Sequence, residues 1–191
     1  MRTSQQVYEM LENQSLWQAA AECHRLLGEA KVPHAILGGV AVSLHGYQRN
    51  TVDVDLLIRR QDTDLARAAL ERGQFAWNSE ATEFRSPAGI AVQCLYAGDR
   101  AGSGSEVALP DPGDPAAVIE IEDLPVLTLA KLIESKIACG EGNPRRTHKD
   151  FADVVELVIH NGLNSSFARF LHKSLRNTYR TLVHQARGER R

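Results

Sequence analysis

The stretch His34-Ala-Ile-Leu-Gly-Gly-Val-Ala-Val-Ser-Leu-His-Gly-Tyr-Gln-Arg-Asn-Thr-Val-Asp-Val-Asp-Leu-Leu-Ile58 limits the possible folds of this chain more than any other. A short apolar run ends in Gly38-Gly39, small residues at helical spacing follow, and a second apolar run carries Asp53 and Asp55 at alternate positions. The pattern predicts strand, helix, strand over residues 33–38, 39–44 and 52–58. Side chains alternate along an extended strand, so Asp53 and Asp55 share one face while Val52, Val54 and Leu56 share the other. Aspartate is disfavoured in strands, and two of them in an apolar run need a reason beyond solvation. Paired carboxylates of this kind suit a hard divalent cation such as Mg²⁺, which commonly keeps few protein ligands and recruits substrate phosphates.

Around this stretch the sequence predicts a mixed sheet of the α/β or α+β class. Residues 3–29 repeat Val7, Leu11, Trp17, Ala20, Cys23 and Leu27 at helical steps, and Lys31-Val-Pro33 ends that helix. Asp62 is placed to cap a helix that Gly73 stops. Short strands are expected near 75–78, 83–86, 90–95 and 118–121. Residues 96–117 are rich in Gly, Pro and Asp and read as a long loop, a feature that is usually functional when it interrupts a compact domain. After Pro125 only helices are expected, over 128–140, 147–161 and 165 to about 187. The division that follows is an α/β core over 1–122 and a helical segment over 123–191 packed on it. A chain of 191 residues has room for that and little more.

Composition narrows the setting. No apolar run approaches the ~20 residues of a membrane span, and the first residues lead into no signal-like apolar core, so a cytoplasmic protein is expected. Cys23, Cys94 and Cys139 are widely spaced, which argues against a disulfide framework or a zinc site. The total charge of −2 hides an asymmetry. From Ser165 onward seven basic residues oppose the single acid Glu189, a net +6 that leaves −8 for the first 164 residues. Such a tail fits a solvated helical face, and it also fits a surface that meets RNA or phosphate.

Glycines at the end of a strand let a phosphate approach the backbone without interference from a Cβ. With Gly38-Gly39, Arg49, Thr51, Asp53 and Asp55 in this order, the segment resembles the signature of the DNA polymerase β-type nucleotidyltransferase superfamily. Within it, the match is closest to AbiEii-like toxin enzymes and small aminoglycoside nucleotidyltransferases. The resemblance implies a transferase that moves a nucleoside monophosphate from an NTP to an RNA, protein or small-molecule acceptor. Its metal would be Mg²⁺, or Mn²⁺ in its place, held by Asp53 and Asp55. Gly38, Gly39, Ser43, Arg49, Thr51 and Lys149 would bind the nucleotide. Lys136 and the element Lys149-Asp150-Phe-Ala-Asp153 match a lysine and a Lys-Asp-x-x-Asp pattern of the AbiEii-like proteins, which adds Lys136 and Asp150 to the catalytic set. The same likeness brings a toxin–antitoxin or defence role with a cognate antitoxin as partner, while the long loop and the basic C-terminal helix read as a face for RNA, with tRNA as the acceptor.

Lys136 lies one heptad from Leu129, inside an apolar stripe, so it points toward the body of the protein, where it would either neutralise phosphate or snorkel past the core. Arg145, Arg146, His148 and Lys149 form a basic knot beside Asp150. One departure from the family pattern stands out. Its third carboxylate falls in Gly89-Ile-Ala-Val-Gln-Cys-Leu-Tyr96, where this chain has Gln93. A glutamine offers a neutral oxygen and cannot act as a base. Either Glu83 or Glu120 takes over that role, or the chain is a catalytically degenerate nucleotide-binding or regulatory relative.

Overall fold

The structure, a computed structural model, describes Gln6 and residues 14–188; Val7, Leu11 and the charged end Glu189–Arg191 lie outside the described residues, as do the first five. Helix α1 (Gln14–Glu29) buries Trp17, Ala20, Cys23 and Leu27, the apolar positions within it that the helical spacing picks out, and Leu16 beside them. Strand β1 (His34–Leu37) is buried throughout and passes directly into the short helix α2 (Gly38–Leu44). After β2 (Asp53–Ile58) come α3 (Thr63–Arg72), β3 (Ala76–Asn78), β4 (Glu83–Arg85) and β5 (Ala91–Tyr96). A hairpin of β6 (Val118–Ile121) and β7 (Leu124–Leu127) precedes α4 (Leu129–Gly142) and α5 (Thr147–His160). The described chain closes with α6 (Arg176–Gly188).

The strands form one mixed sheet in the order β3-β4-β5-β2-β1-β7-β6. β1 and β2 run antiparallel, with Leu37 opposite Asp55, while β2 and β5 run parallel, with Asp55 opposite Gln93. This pairing puts Asp53, Asp55, Gln93 and Leu95 on one face of the sheet and Val54, Leu56, Cys94 and Tyr96 on the other. α1 and α3 pack together, with α3 over Ile58, Cys94 and Tyr96 on the apolar side. α4 stands across the side that carries the carboxylates, and α5 and α6 stack behind it.

Three expectations need correction. The chain does not turn wholly helical after Pro125: Leu124–Leu127 is a strand, paired with β6 and, parallel, with β1 at Ile36 and Val126. Its two-residue turn, Glu122-Asp123, has positive φ at both positions (50° and 60°), a conformation usually signalled by Asn or Gly, so nothing in the sequence announces the hairpin. The expected boundary after residue 122 falls inside that turn. Secondly, Asp62 holds the residue position before α3 but makes no capping hydrogen bond; Thr63 instead donates to the Arg60 carbonyl at 2.7 Å. Thirdly, residues 165–187 are not one helix. Asn164 accepts from the Ser166 amide at 2.9 Å and starts a 3₁₀ turn over Ser165–Phe170, His172 caps a second over Lys173–Leu175, and only then does α6 begin. Tyr179 of α6 is buried against the first of these turns and donates to the Asn164 carbonyl at 3.2 Å.

Candidate functional site

The junction of β1 and α2 exists because Gly38 takes φ +67°, a backbone conformation open to glycine. A Cβ on Gly38 would lie 1.8 Å from Asp55 Oδ2, and one on Gly39 would lie 2.4 Å from Thr51 Oγ1. The two glycines are therefore the floor on which Asp55 of β2 and Thr51, just before that strand, rest. Thr51 donates to Asp53 Oδ1 at 2.8 Å and sets the direction of that carboxylate.

Gly38 and Asp55 open onto a cleft that is also lined by Leu37, Gln93, Leu95, Lys136, Arg146 and Asp150. Asp53 lies outside that lining, on the same strand face. Burial and the neighbouring Asp53 charge push the Asp55 carboxyl up to about 6, against a usual 3.8, while Lys136, Arg146 and Lys149 act in the opposite direction. An acid held above its usual range by desolvation and by a like charge has an energetic need for a cation.

Across the cleft α4 and α5 contribute a buried ion network. Lys136 Nζ lies 2.9 Å from Asp150 Oδ1 and 2.7 Å from Asp153 Oδ2. Arg49 reaches Asp153 through Nε at 2.7 Å and Nη2 at 3.0 Å, and Arg146 Nε reaches Asp150 Oδ2 at 3.2 Å. Asp150 is held below the usual carboxylate range: its burial pushes the other way, but Lys136 and Arg146 prevail. Two carboxylates buried this deeply are retained only because each has two cationic partners.

The expected site residues are thus distributed unequally. Gly38, Asp55, Lys136 and Asp150 line one cleft, and Gly39, Thr51 and Asp53 support it from β2 and the turn. Arg49 is occupied by Asp153 at the back of the network. Ser43 is fully buried and donates to the Gly39 carbonyl at 3.3 Å, so its hydroxyl serves the helix rather than the cleft. Lys149 is exposed, acting on the cleft only through its charge. Of the alternative acids, Glu120 sits on β6, three strands from β2. Continuing the β4–β5 register by one residue sets Glu83 opposite Gln93, but its carboxylate is turned to Arg85. His45, buried, bonds the Leu127 carbonyl at 2.8 Å and is a structural side chain.

Several residues of the site escape the sequence reading. Arg146, in the lining, and Asp153, behind it, belong to motifs seen in the sequence, yet the pairing that joins them through Asp150 and Lys136 is not visible there; the i,i+3 step from Asp150 to Asp153 is the available signal. Arg100, Ala101 and Leu109 come from the long loop, which doubles back over the cleft with Ala101 N bonding Val107 O and Leu109 N bonding Asp99 O, both at 2.8 Å. The loop is clipped by Arg60 to Asp99 and by Arg59 to Asp111, each at 2.8 Å. It meets α4 backbone to backbone: a Cβ on Gly102 would fall 1.9 Å from the Ala138 carbonyl oxygen. Under this cover the cleft is about 90 Å³, well below the roughly 300 Å³ of an ordinary small-molecule pocket.

No protein-family model matches the sequence, and no curated protein sequence matches it. Solved structures do. The antibiotic-resistance factor ANT(2'')-Ia superposes with a TM-score of 0.53 at 14% identity, over 88% of this chain and 95% of its own. The chain has a nucleotidyltransferase fold. The same factor in complex with adenylyl-2''-tobramycin gives a TM-score of 0.55 at 16% identity, over 86% of this chain and 96% of that one. JHP933 from Helicobacter pylori gives 0.50 at 17% identity, over 85% and 72%. In this nucleotidyltransferase fold the glycine turn and the paired aspartates sit on the face that α4 and α5 cover. Among the described residues no helix is long and apolar enough to cross a membrane.

Proposed function

We propose that this protein is a metal-dependent nucleotidyltransferase that moves a nucleoside monophosphate from an NTP to a hydroxyl of a small-molecule acceptor. The observation that carries the reading is the seating of Asp55 on Gly38, directly across one cleft from the Lys136–Asp150 pair. The donor set suits a hard cation: two carboxylates two residues apart on one strand face, with a neutral amide oxygen of Gln93 in register beside them. Among the described residues no group of three or more His, Cys, Asp or Glu could hold a metal. A site with two carboxylates would therefore complete its coordination with nucleotide phosphates and water. Mg²⁺ or Mn²⁺ held by Asp53 and Asp55 would supply charge neutralisation along the phosphates.

The chain's own residues do the rest. Gly38 and Gly39 let Asp55 and Thr51 seat against the turn, and Lys136, fixed by Asp150 and Asp153, faces the cleft with a positive charge that cannot swing away. In the transfer, an acceptor oxygen bonds to the α-phosphorus and the bond from that phosphorus to the leaving pyrophosphate breaks. Gln93 has no basic atom, so the acceptor's proton passes to Asp55 or to solvent. The complex of ANT(2'')-Ia with an adenylylated aminoglycoside supports a small hydroxylated acceptor here. An antitoxin partner and a role in defence rest on the sequence resemblance alone, and an RNA acceptor on that resemblance and the basic charge after Ser165.

The pairing of Gln93 with Asp55 favours a second reading, in which the cleft binds nucleotide without transferring it. Labelled NTPs incubated with Mg²⁺ and a mixture of hydroxylated small molecules separate the two. Transfer of label by the wild-type protein supports the first reading. Its absence, together with label transfer by Gln93→Asp, supports the second.

A further inference from the structure

The charged side chains of the cleft are not equally committed. Arg49 and Lys136 have side chains only 13% and 5% exposed, and each is engaged with a buried aspartate. Arg146 differs. Its side chain is 48% exposed, it lines the cleft beside Gly38 and Asp55, and it holds Asp150 through Nε alone. Among the described residues no acceptor bonds its two terminal nitrogens. Asp150 has a second partner besides it, Lys136, which pairs with the other carboxylate oxygen at 2.9 Å.

We propose that Arg146 is a nucleotide-binding residue: anchored by Nε on Asp150, it turns the two terminal nitrogens of its guanidinium to phosphate oxygens of an NTP lying over Gly38 and Asp55. This rests on the reading of the cleft as a nucleotide site. A guanidinium is planar and always charged, and its fixed fork matches a phosphate through two parallel hydrogen bonds. Arg146 and Asp150 are one helical turn apart at the start of α5, so the anchor aims the fork in one direction. The two pairs behind it are internally neutral, with Arg49 and Lys136 offsetting Asp150 and Asp153. The Arg146 charge is thus the surplus on this wall, added to the fixed Lys136 that lines the same cleft. Its contribution should grow with the number of phosphates, since a monophosphate presents fewer oxygens to the fork.

The test measures binding of ATP, GTP, CTP and UTP with Mg²⁺, and of the corresponding monophosphates, to the whole chain by calorimetry. Because the Arg146 side chain is 48% exposed, its fork counts for about one charged hydrogen bond, which predicts a roughly 10- to 100-fold weaker NTP affinity for Arg146→Ala. A much smaller change is expected for the monophosphates. Arg146→Lys keeps the charge without the fork and should recover only part of the loss. Arg145→Ala, which removes the same charge one position away and outside the cleft lining, should bind as the wild type does. Equal NTP affinity in wild type and Arg146→Ala overturns this inference and leaves the parent reading intact. So does an equal loss in Arg145→Ala, which would reduce the effect to diffuse attraction. A wild-type protein that binds none of the four NTPs overturns both. Thermal melting of each variant reports folding, and an unfolded Arg146→Ala passes the decision to Arg146→Lys.

Discussion

Asp55→Asn should make the metal-free protein more stable at neutral pH while removing its response to divalent cations. Asp55 is crowded by burial and by the charge of Asp53, and its carboxyl lies at about 6 against a usual 3.8. In the unfolded chain it ionises near the usual value. Between those two pH values the folded protein keeps a proton that the unfolded chain has released. Stability from this group is therefore full below pH 3.8, falls as the pH rises, and is gone above about 6. The gap corresponds to close to 3 kcal/mol for an enclosed group; Asp55 keeps an edge open to the cleft, which lowers the expectation to ~2 kcal/mol. Asparagine keeps the shape and removes the charge. At pH 7 without metal the variant should melt roughly 4–8 °C above the wild type, as ~2 kcal/mol does for a domain of this size. Near pH 4 the two should converge. Millimolar Mg²⁺ should raise the wild-type melting temperature and leave the variant unchanged. A variant that is no more stable than the wild type at pH 7, or a difference that persists undiminished at pH 4, would refute the electrostatic account of this carboxylate.

Two further substitutions probe the scaffold of the cleft. Lys136→Ala leaves Asp150 with only Arg146 and Asp153 with only Arg49, so urea denaturation should show a loss of about 3 kcal/mol or more, the usual result of breaking a buried pair from one side; a loss under 1 kcal/mol would mean that the network is not holding α4 to α5. Gly38→Ala drives a Cβ to within 1.8 Å of the Asp55 carboxylate at a φ of +67°, so it should displace Asp55 and abolish stabilisation by Mg²⁺ in a melting assay, whereas undiminished stabilisation would show that the glycine floor plays no part in cation binding.

What could be read in the sequence was what local spacing encodes. The alternation of Asp53 and Asp55 with Val54 and Leu56 fixed both the strand and the face its acids share. Gly38-Gly39 marked the turn beside them, and the apolar stripe around Lys136 put that lysine indoors. The antiparallel pairing of β1 and β2 that brings Gly38 onto Asp55 is also local, since one short helix and a loop separate the strands. Features made by tertiary contact were not legible. Pro125 looked like the end of the sheet, because the hairpin around it turns on Glu122 and Asp123 rather than on Asn or Gly. Arg49 suited a phosphate until Asp153, 104 residues away, claimed it. Nothing in the composition of residues 96–117 says that Arg100 and Leu109 fold back over the cleft, because the clips that hold them, Arg59 and Arg60, lie beyond β2.

The central claim is that Asp53 and Asp55 form a cation site that holds a nucleotide against the Gly38 turn. Calorimetric titration of the four NTPs into the wild-type protein and into Asp53→Ala, each with Mg²⁺ and with EDTA, tests it most directly. The account predicts that at least one NTP binds the wild type only when Mg²⁺ is present, and that Asp53→Ala, still folded by thermal melting, binds none. Equal affinity in the two proteins, or binding that EDTA leaves unchanged, would contradict it.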